Sequence, residues 1–278
     1  MPRNILPFLA LLTASIFTAG IVTASSVAAS PGAPHGGTPK VSGANEVGLQ
    51  TGGPIVSAAA VVAIQQLVRG NDSFVAAHDP EYFAQFSTAE HPAITLVTCS
   101  DSRIHTRDLL AEPNGKIFTV RNIGNQITNN AGSVEYGVHH LVTPVLLIMG
   151  HLGCGAIKAA LGDYADESPA IRGELDGLHL PLRSARRDSA TVWADGVLLN
   201  VHAQVAVALK SFHDEVEQGT LVVVGAVYDF QDKPGPAGKV SIININGERD
   251  KAALALSPFL ERVELGGAKQ VAVGHAAH

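Results

Sequence analysis

Short, almost uninterrupted apolar runs recur along the middle of the chain, separated by longer segments with helical spacing, and this alternation limits the fold more than any other feature. The runs are residues 94–99, 117–120, 145–149, 221–227 and 240–246, and the helix-type segments are 132–141, 155–161 and 197–217. Strands that are apolar along their whole length need cover on both faces, and strands alternating with helices build a parallel sheet. The expected fold is therefore α/β, a mostly parallel central sheet flanked by helices. With 278 residues the chain can bury one sizeable core, so one main domain is expected.

In such sheets ligands bind beyond the carboxyl ends of the strands. The only two cysteines of the chain lie at such ends. Cys99 closes the first run and is followed by Ser100-Asp101-Ser102-Arg103, while His151-Leu152-Gly153-Cys154 follows the run at 145–149. If the two strands are parallel neighbours, both turns meet at one edge of the sheet. They then offer two thiolates, one imidazole, and a carboxylate beside a guanidinium. Thiolate with imidazole favours Zn²⁺ over Mg²⁺ or Ca²⁺. A Cys₂His set leaves a fourth position, which Asp101 fills itself or leaves to water while holding Arg103. The competing reading of two cysteines is a Cys99–Cys154 disulfide. A disulfide, however, makes no use of an Asp two residues after one cysteine or a His three residues before the other, and the metal site is the favoured reading.

The formal net charge of −6, without long basic runs, argues against a nucleic-acid partner. At the N-terminus, Arg3 precedes an apolar stretch at 5–22 and the small residues Ser26-Val27-Ala28-Ala29. This reads as a signal peptide at 1–29 and an exported protein, periplasmic or secreted, with an uncleaved membrane anchor as the competing reading. A Gly-, Ser- and Pro-rich flexible leader is expected at 30–54, the zinc-binding domain at 55–262 with a helical arm at its start, and a tail at 263–278. Within the arm, a helix at 57–69 is expected to stop at Gly70-Asn71 and a second helical piece to follow at 74–78. The segment 163–190 reads as an excursion with some helix. The twelve histidines are scattered, so none is singled out as a proton shuttle. The glycines at 150, 153 and 155 match neither G-x-G-x-x-G nor a P-loop.

Taken together, these residues resemble the β-class carbonic anhydrases. The pattern C-x-D-x-R followed by H-x-x-C is met by Cys99, Asp101, Arg103, His151 and Cys154. The blocks Phe118-Thr119-Val120-Arg121-Asn122-Ile123-Gly124-Asn125, Ser133-Val134-Glu135-Tyr136-Gly137-Val138 and Gly150-His151-Leu152-Gly153-Cys154-Gly155-Ala156, with Tyr228-Asp229 later, follow in that family's order and spacing. The resemblance implies one Zn²⁺ per chain on Cys99, His151 and Cys154, with water or hydroxide as the fourth ligand, or Asp101 in a closed state. It implies Asp101 and Arg103 as the catalytic dyad, a carbon dioxide pocket lined by Phe118, Ile123 and Tyr136, and the Gly155 N–H as a donor to bicarbonate. It further implies a homodimer or larger homo-oligomer whose substrates are carbon dioxide and bicarbonate. Relatives on the same scaffold that hydrolyse carbon disulfide or carbonyl sulfide supply an alternative activity, and a non-catalytic exported protein with structural zinc or a disulfide supplies another. Two positions depart from the family. Glu90 stands where a Gln often contacts substrate, so that role is not carried over. Leu96 stands where members with a bicarbonate-triggered closed state have Trp.

Overall fold

Five apolar strands assemble into one sheet in the order β2-β1-β3-β4-β5. β1 (Ile94–Cys99), β2 (Ile117–Asn122), β3 (Val145–His151) and β4 (Val222–Asp229) run parallel, and β5 (Lys239–Ile245) lies antiparallel at the edge. The computed structural model describes residues 57–185, 190–230 and 237–260. The expected signal peptide at 1–29, leader at 30–54 and tail at 263–278 lie outside them.

The chain divides into two compact units, Met1–Asp72 and Ser73–His278. Apart from Ser57, the described residues of the first belong to helix α1 (Ala58–Ala76), where Val62, Ile64, Leu67 and Val68 are exposed. The expected stop at Gly70-Asn71 does not occur. A single interior glycine costs a helix only about 1 kcal/mol, too little to end one of this length.

In the second unit α2 (Pro80–Ala84) precedes the sheet. It opens on Asp79, which caps the Tyr82 N–H, with Pro80 in the first turn. The helices that follow are α3 (Ala131–Glu135), α4 (Gly155–Leu161), α5 (Pro169–Leu182), α6 (Val192–Ser211), α7 (His213–Glu217) and α8 (Lys251–Ala255); α6 packs on β3 and β4 and α8 on β5, while α4 and α5 pack on α6 and on each other. The expected single helix at 197–217 is two, because Phe212 leaves helical geometry (φ −119°, ψ 37°) and buries its ring in the core. By length and composition α6 is apolar enough to cross a membrane, but it is a packed core helix. Its Val197, Val201 and Val205 are buried, and it sits so close to the sheet that a Cβ at Gly150 would come within 2.7 Å of Val201.

The helix expected at 132–141 begins as α3 and widens into a π-helical turn at Tyr136–His140. Gly137 lies directly on β1. A Cβ there would overlap the Thr95 hydroxyl and lie 2.9 Å from its methyl. That hydroxyl is buried and bonded to Thr143, whose own hydroxyl donates to the Gly137 carbonyl. Gly137→Ala is therefore expected to destabilise the fold by about 2 kcal/mol through overpacking and loss of this bonded trio. Urea denaturation would read it as a lower midpoint at unchanged slope.

Just past that turn Val142 is held at φ 53° and is 72% exposed. A β-branched residue is strained in the left-handed region, and here no burial offsets the strain. Val142→Asn should raise stability by about 1 kcal/mol, seen as a higher melting temperature.

Candidate metal centre

β1 and β3 are hydrogen-bonded neighbours in register Thr98↔Met149, so the chain leaves both strands at the same edge of the sheet. Cys99 is the last residue of β1 and His151 the last of β3, which runs two residues past its expected end at 149. Gly153, at φ 70°, then turns the chain so that Cys154 stands immediately before α4. A spacing of about fifty residues is thereby folded into contact. The sulfurs of Cys99 and Cys154 and a ring nitrogen of His151 lie within 4.8 Å of one another, and all three residues are buried.

The two sulfurs are 3.9 Å apart and both thiols are free. A disulfide bond is about 2.05 Å long, so the structure holds a thiol pair and not a cross-link.

These residues fit a zinc ion on their own chemistry. His151 Nδ1 lies 3.1 Å from the Leu152 carbonyl, which fixes the proton on that nitrogen. Nε2 is left buried, with its lone pair unpartnered. Such an atom costs stability unless something accepts that lone pair, and a metal ion does. The thiols complement it. A hydrogen bond from Cys154 holds Cys99 down, to about 4, against the opposing effect of burial, with help from the backbone N–H groups of Gly124 and Asp101. Cys154 is pushed up by that same neighbour and by burial, although the Ala156 and Ile157 N–H groups at the start of α4 face its sulfur. Two buried thiolates oppose each other until a cation lies between them. A Zn²⁺ ion removes that opposition and releases the second proton.

Asp101 and Arg103 form a two-pronged pair, with Arg103 Nε 2.9 Å from Oδ1 and Nη2 2.7 Å from Oδ2. The Arg103 backbone N–H adds a third bond to Oδ1, and Nη2 reaches the Gly153 carbonyl at 3.3 Å. The guanidinium holds the Asp101 carboxyl well below the ordinary carboxylate range, so it is an acceptor only. Its Oδ2 lies 3.8 Å from His151 Nε2, beside the three ligating atoms.

Arg121 fixes the turn that carries this pair. Its Nε and Nη2 donate to the Cys99 carbonyl at 3.0 and 2.8 Å, and Nη2 also reaches the carbonyls of Asp101 and Ile104. Trp193, at the start of α6, donates from its indole to the Cys154 carbonyl at 2.7 Å. Asn200 donates to the Gly124 carbonyl. No spacing in the sequence marks Trp193 or Asn200, because both act from a helix remote along the chain.

Within one chain the expected pocket residues divide, with Phe118 and Tyr136 packed together and Ile123 and Gly155 at the carboxyl edge of the sheet. Phe118 is in register with Thr95, four residues before Cys99, which at about 3.3 Å per residue separates it from the ligand end of the strand by about 13 Å. Tyr136 packs against Phe118 (ring centroids 5.8 Å apart) and is 45% exposed. Ile123 lies at the carboxyl edge and lines a cavity of about 420 Å³ with Ser100, Arg121 and Asn130. Gly155 opens α4, and nothing lies within 4 Å of where its Cβ would stand. Glu90 lines a separate cavity of about 610 Å³ with Phe86, Asn114 and Gly115.

Residues 94–239 match the family model described as carbonic anhydrase. That stretch is more than half of the chain and contains Cys99, Asp101, Arg103, His151 and Cys154. The chain belongs to the carbonic anhydrase family, in its β class. Among its relatives, the carbonic anhydrase of Mycolicibacterium smegmatis is 36% identical over 185 residues, covering 62% of this chain and 90% of that protein. Carbonic anhydrase 2 of Mycobacterium tuberculosis is 28% identical over 185 residues, covering 62% of this chain and 89% of the relative. The β-carbonic anhydrase of Coccomyxa, solved with acetazolamide, superposes with a TM-score of 0.55 at 25% identity, over 69% of this chain and 90% of that one. A tetrameric β-carbonic anhydrase of Sordaria macrospora shares the fold with a TM-score of 0.58 at 23% identity, over 66% of this chain and 97% of its own. As a member of this family the chain is a carbonic anhydrase. It interconverts carbon dioxide with bicarbonate and a proton, and zinc is its cofactor.

Proposed function

We propose that Cys99, His151 and Cys154 hold the zinc ion and that Asp101 and Arg103 orient the reacting oxygen. The observation that carries this is the convergence of three buried ligand atoms within 4.8 Å of one another, with an ionised carboxylate beside them. Bound zinc lowers the pKa of a coordinated water from about 15.7 to near neutrality, supplying a nucleophile at ordinary pH. Asp101, tied by both oxygens to Arg103, accepts a hydrogen bond from the attacking oxygen and so aims a lone pair at the carbon of carbon dioxide. Because Arg103 occupies the carboxylate, Asp101 is kept as an orienting acceptor and away from the fourth ligand position. Stopped-flow measurement of carbon dioxide hydration by metal-quantified protein tests the assignment. The expected rate is proportional to zinc content.

Homo-oligomer formation belongs to the same proposal. Phe118 and Tyr136 are remote from the ligand cluster of their own chain, and Tyr136 presents an exposed ring. A second copy that seats this face against the ligand turns would line the apolar side of each site. Light scattering should then give at least twice the mass of a single chain, which is 28.8 kDa for the full sequence. Tyr136→Asp should yield monomers with reduced activity. Export is proposed from the Arg3 and apolar 5–22 pattern, and N-terminal sequencing of the exported protein, starting near residue 29 or 30, would establish it.

A further inference from the structure

Phe230 is absent from the ligand pattern and from the dyad, yet it touches both. The Arg103 guanidinium carbon stands 4.4 Å from the centroid of its ring. The same ring lies 5.8 Å from that of His151 and 5.9 Å from that of Tyr228. It follows directly on β4 and packs on the buried cluster of Leu96, Ile104, Met149, Ala226 and Tyr228. An aromatic ring anchored on the core therefore offers its face to a cation whose own side chain is 53% exposed.

We infer that Phe230 is a positioning residue, whose ring holds the Arg103 guanidinium where it engages both oxygens of Asp101. An arginine half in water has considerable rotamer freedom to lose before it can make a two-pronged contact. The ring face attracts the cation and removes part of that freedom in advance. Of the contacts on the Arg103 guanidinium, those to Asp101 compete with any movement of that carboxylate toward the metal. The Gly153 carbonyl and the Phe230 face do not, so together they keep the guanidinium in place whatever Asp101 does. Phe230 thus biases Asp101 toward its orienting role. This rests on the dyad reading proposed above.

The test compares full-length, zinc-loaded wild type with Phe230→Leu, which keeps apolar bulk without a π face, and Phe230→Tyr, which keeps the face. Arg103→Ala reports on the dyad itself, and Arg103→Lys identifies the Arg103 Nε–H resonance in ¹⁵N spectra by its loss. In wild type that resonance is expected to carry a ring-current shift and slow solvent exchange. Phe230→Tyr should retain both, with kcat/KM within about twofold of wild type, whereas Phe230→Leu should lose both, with kcat/KM lower by about 3- to 10-fold at unchanged zinc content. An unchanged Arg103 signal in Phe230→Leu would overturn the inference, as would equal losses in the Leu and Tyr variants. If Arg103→Ala leaves the rate intact, it is the dyad reading that fails. If Arg103→Ala lowers the rate while Phe230→Leu does not, the dyad stands and the role of Phe230 falls.

Discussion

Cys154→Ser is expected to leave purified protein without stoichiometric zinc and to lower carbon dioxide hydration by more than about 10³-fold. Loss of an outer-sphere partner alone typically costs metal affinity about 10–100-fold, and here a ligand is lost. Cys154 is 1% exposed, its sulfur faces the first N–H groups of α4, and its carbonyl is held by Trp193. Serine can keep every backbone contact of this turn, since the carbonyl bonds to Trp193 and to the Lys158 N–H do not involve the side chain. The fold should therefore survive and the defect should be specific to the metal. Metal analysis beside circular dichroism separates the two. A variant that loses its zinc but keeps its rate would show that hydration does not depend on this cluster.

Asp101→Asn should give the second large effect. The change keeps shape and one acceptor oxygen but removes the charge that binds Arg103 through both prongs, and it places a donor where the reacting oxygen needs an acceptor. Because Asp101 contributes no ligand in the arrangement seen, zinc should stay bound while kcat falls by about 10²-fold, the usual scale for losing one well-placed polar group at a reacting atom. Zinc retained with a lowered rate distinguishes this variant from Cys154→Ser. Loss of zinc in Asp101→Asn would instead identify Asp101 as a metal ligand.

Much of the centre was legible because its parts are local. Cys99-x-Asp101-x-Arg103 and His151-x-x-Cys154 each lie in one turn, and parallel pairing of the two apolar runs was enough to bring the turns together. Phe118 and Tyr136 followed the family pattern in order and spacing, but register places Phe118 four residues back along the neighbouring strand, and Tyr136 packs against it from the π-helical turn. Only the sheet, in which each residue advances about 3.3 Å, exposes that distance. Trp193, Asn200 and Phe230 gave no signal of their own. Trp193 and Phe230 are isolated aromatics in no recognisable motif, Phe230 between Asp229 and Gln231, and the contacts of these residues arise from how α6 and the end of β4 pack over the turns. The helix boundaries missed at Gly70 and Phe212 have similar causes. An interior glycine costs a helix too little to stop it, and Phe212 breaks one only because the core receives its ring.

The central claim is that Cys99, His151 and Cys154 share one zinc ion. The most direct measurement is X-ray absorption at the zinc K-edge of the purified, metal-loaded protein. The account predicts two sulfur scatterers at about 2.3 Å and one imidazole nitrogen at about 2.0–2.1 Å, with a light atom completing the shell. Zinc surrounded by oxygen and nitrogen alone, or protein that binds no zinc and carries Cys99 bonded to Cys154, would contradict it.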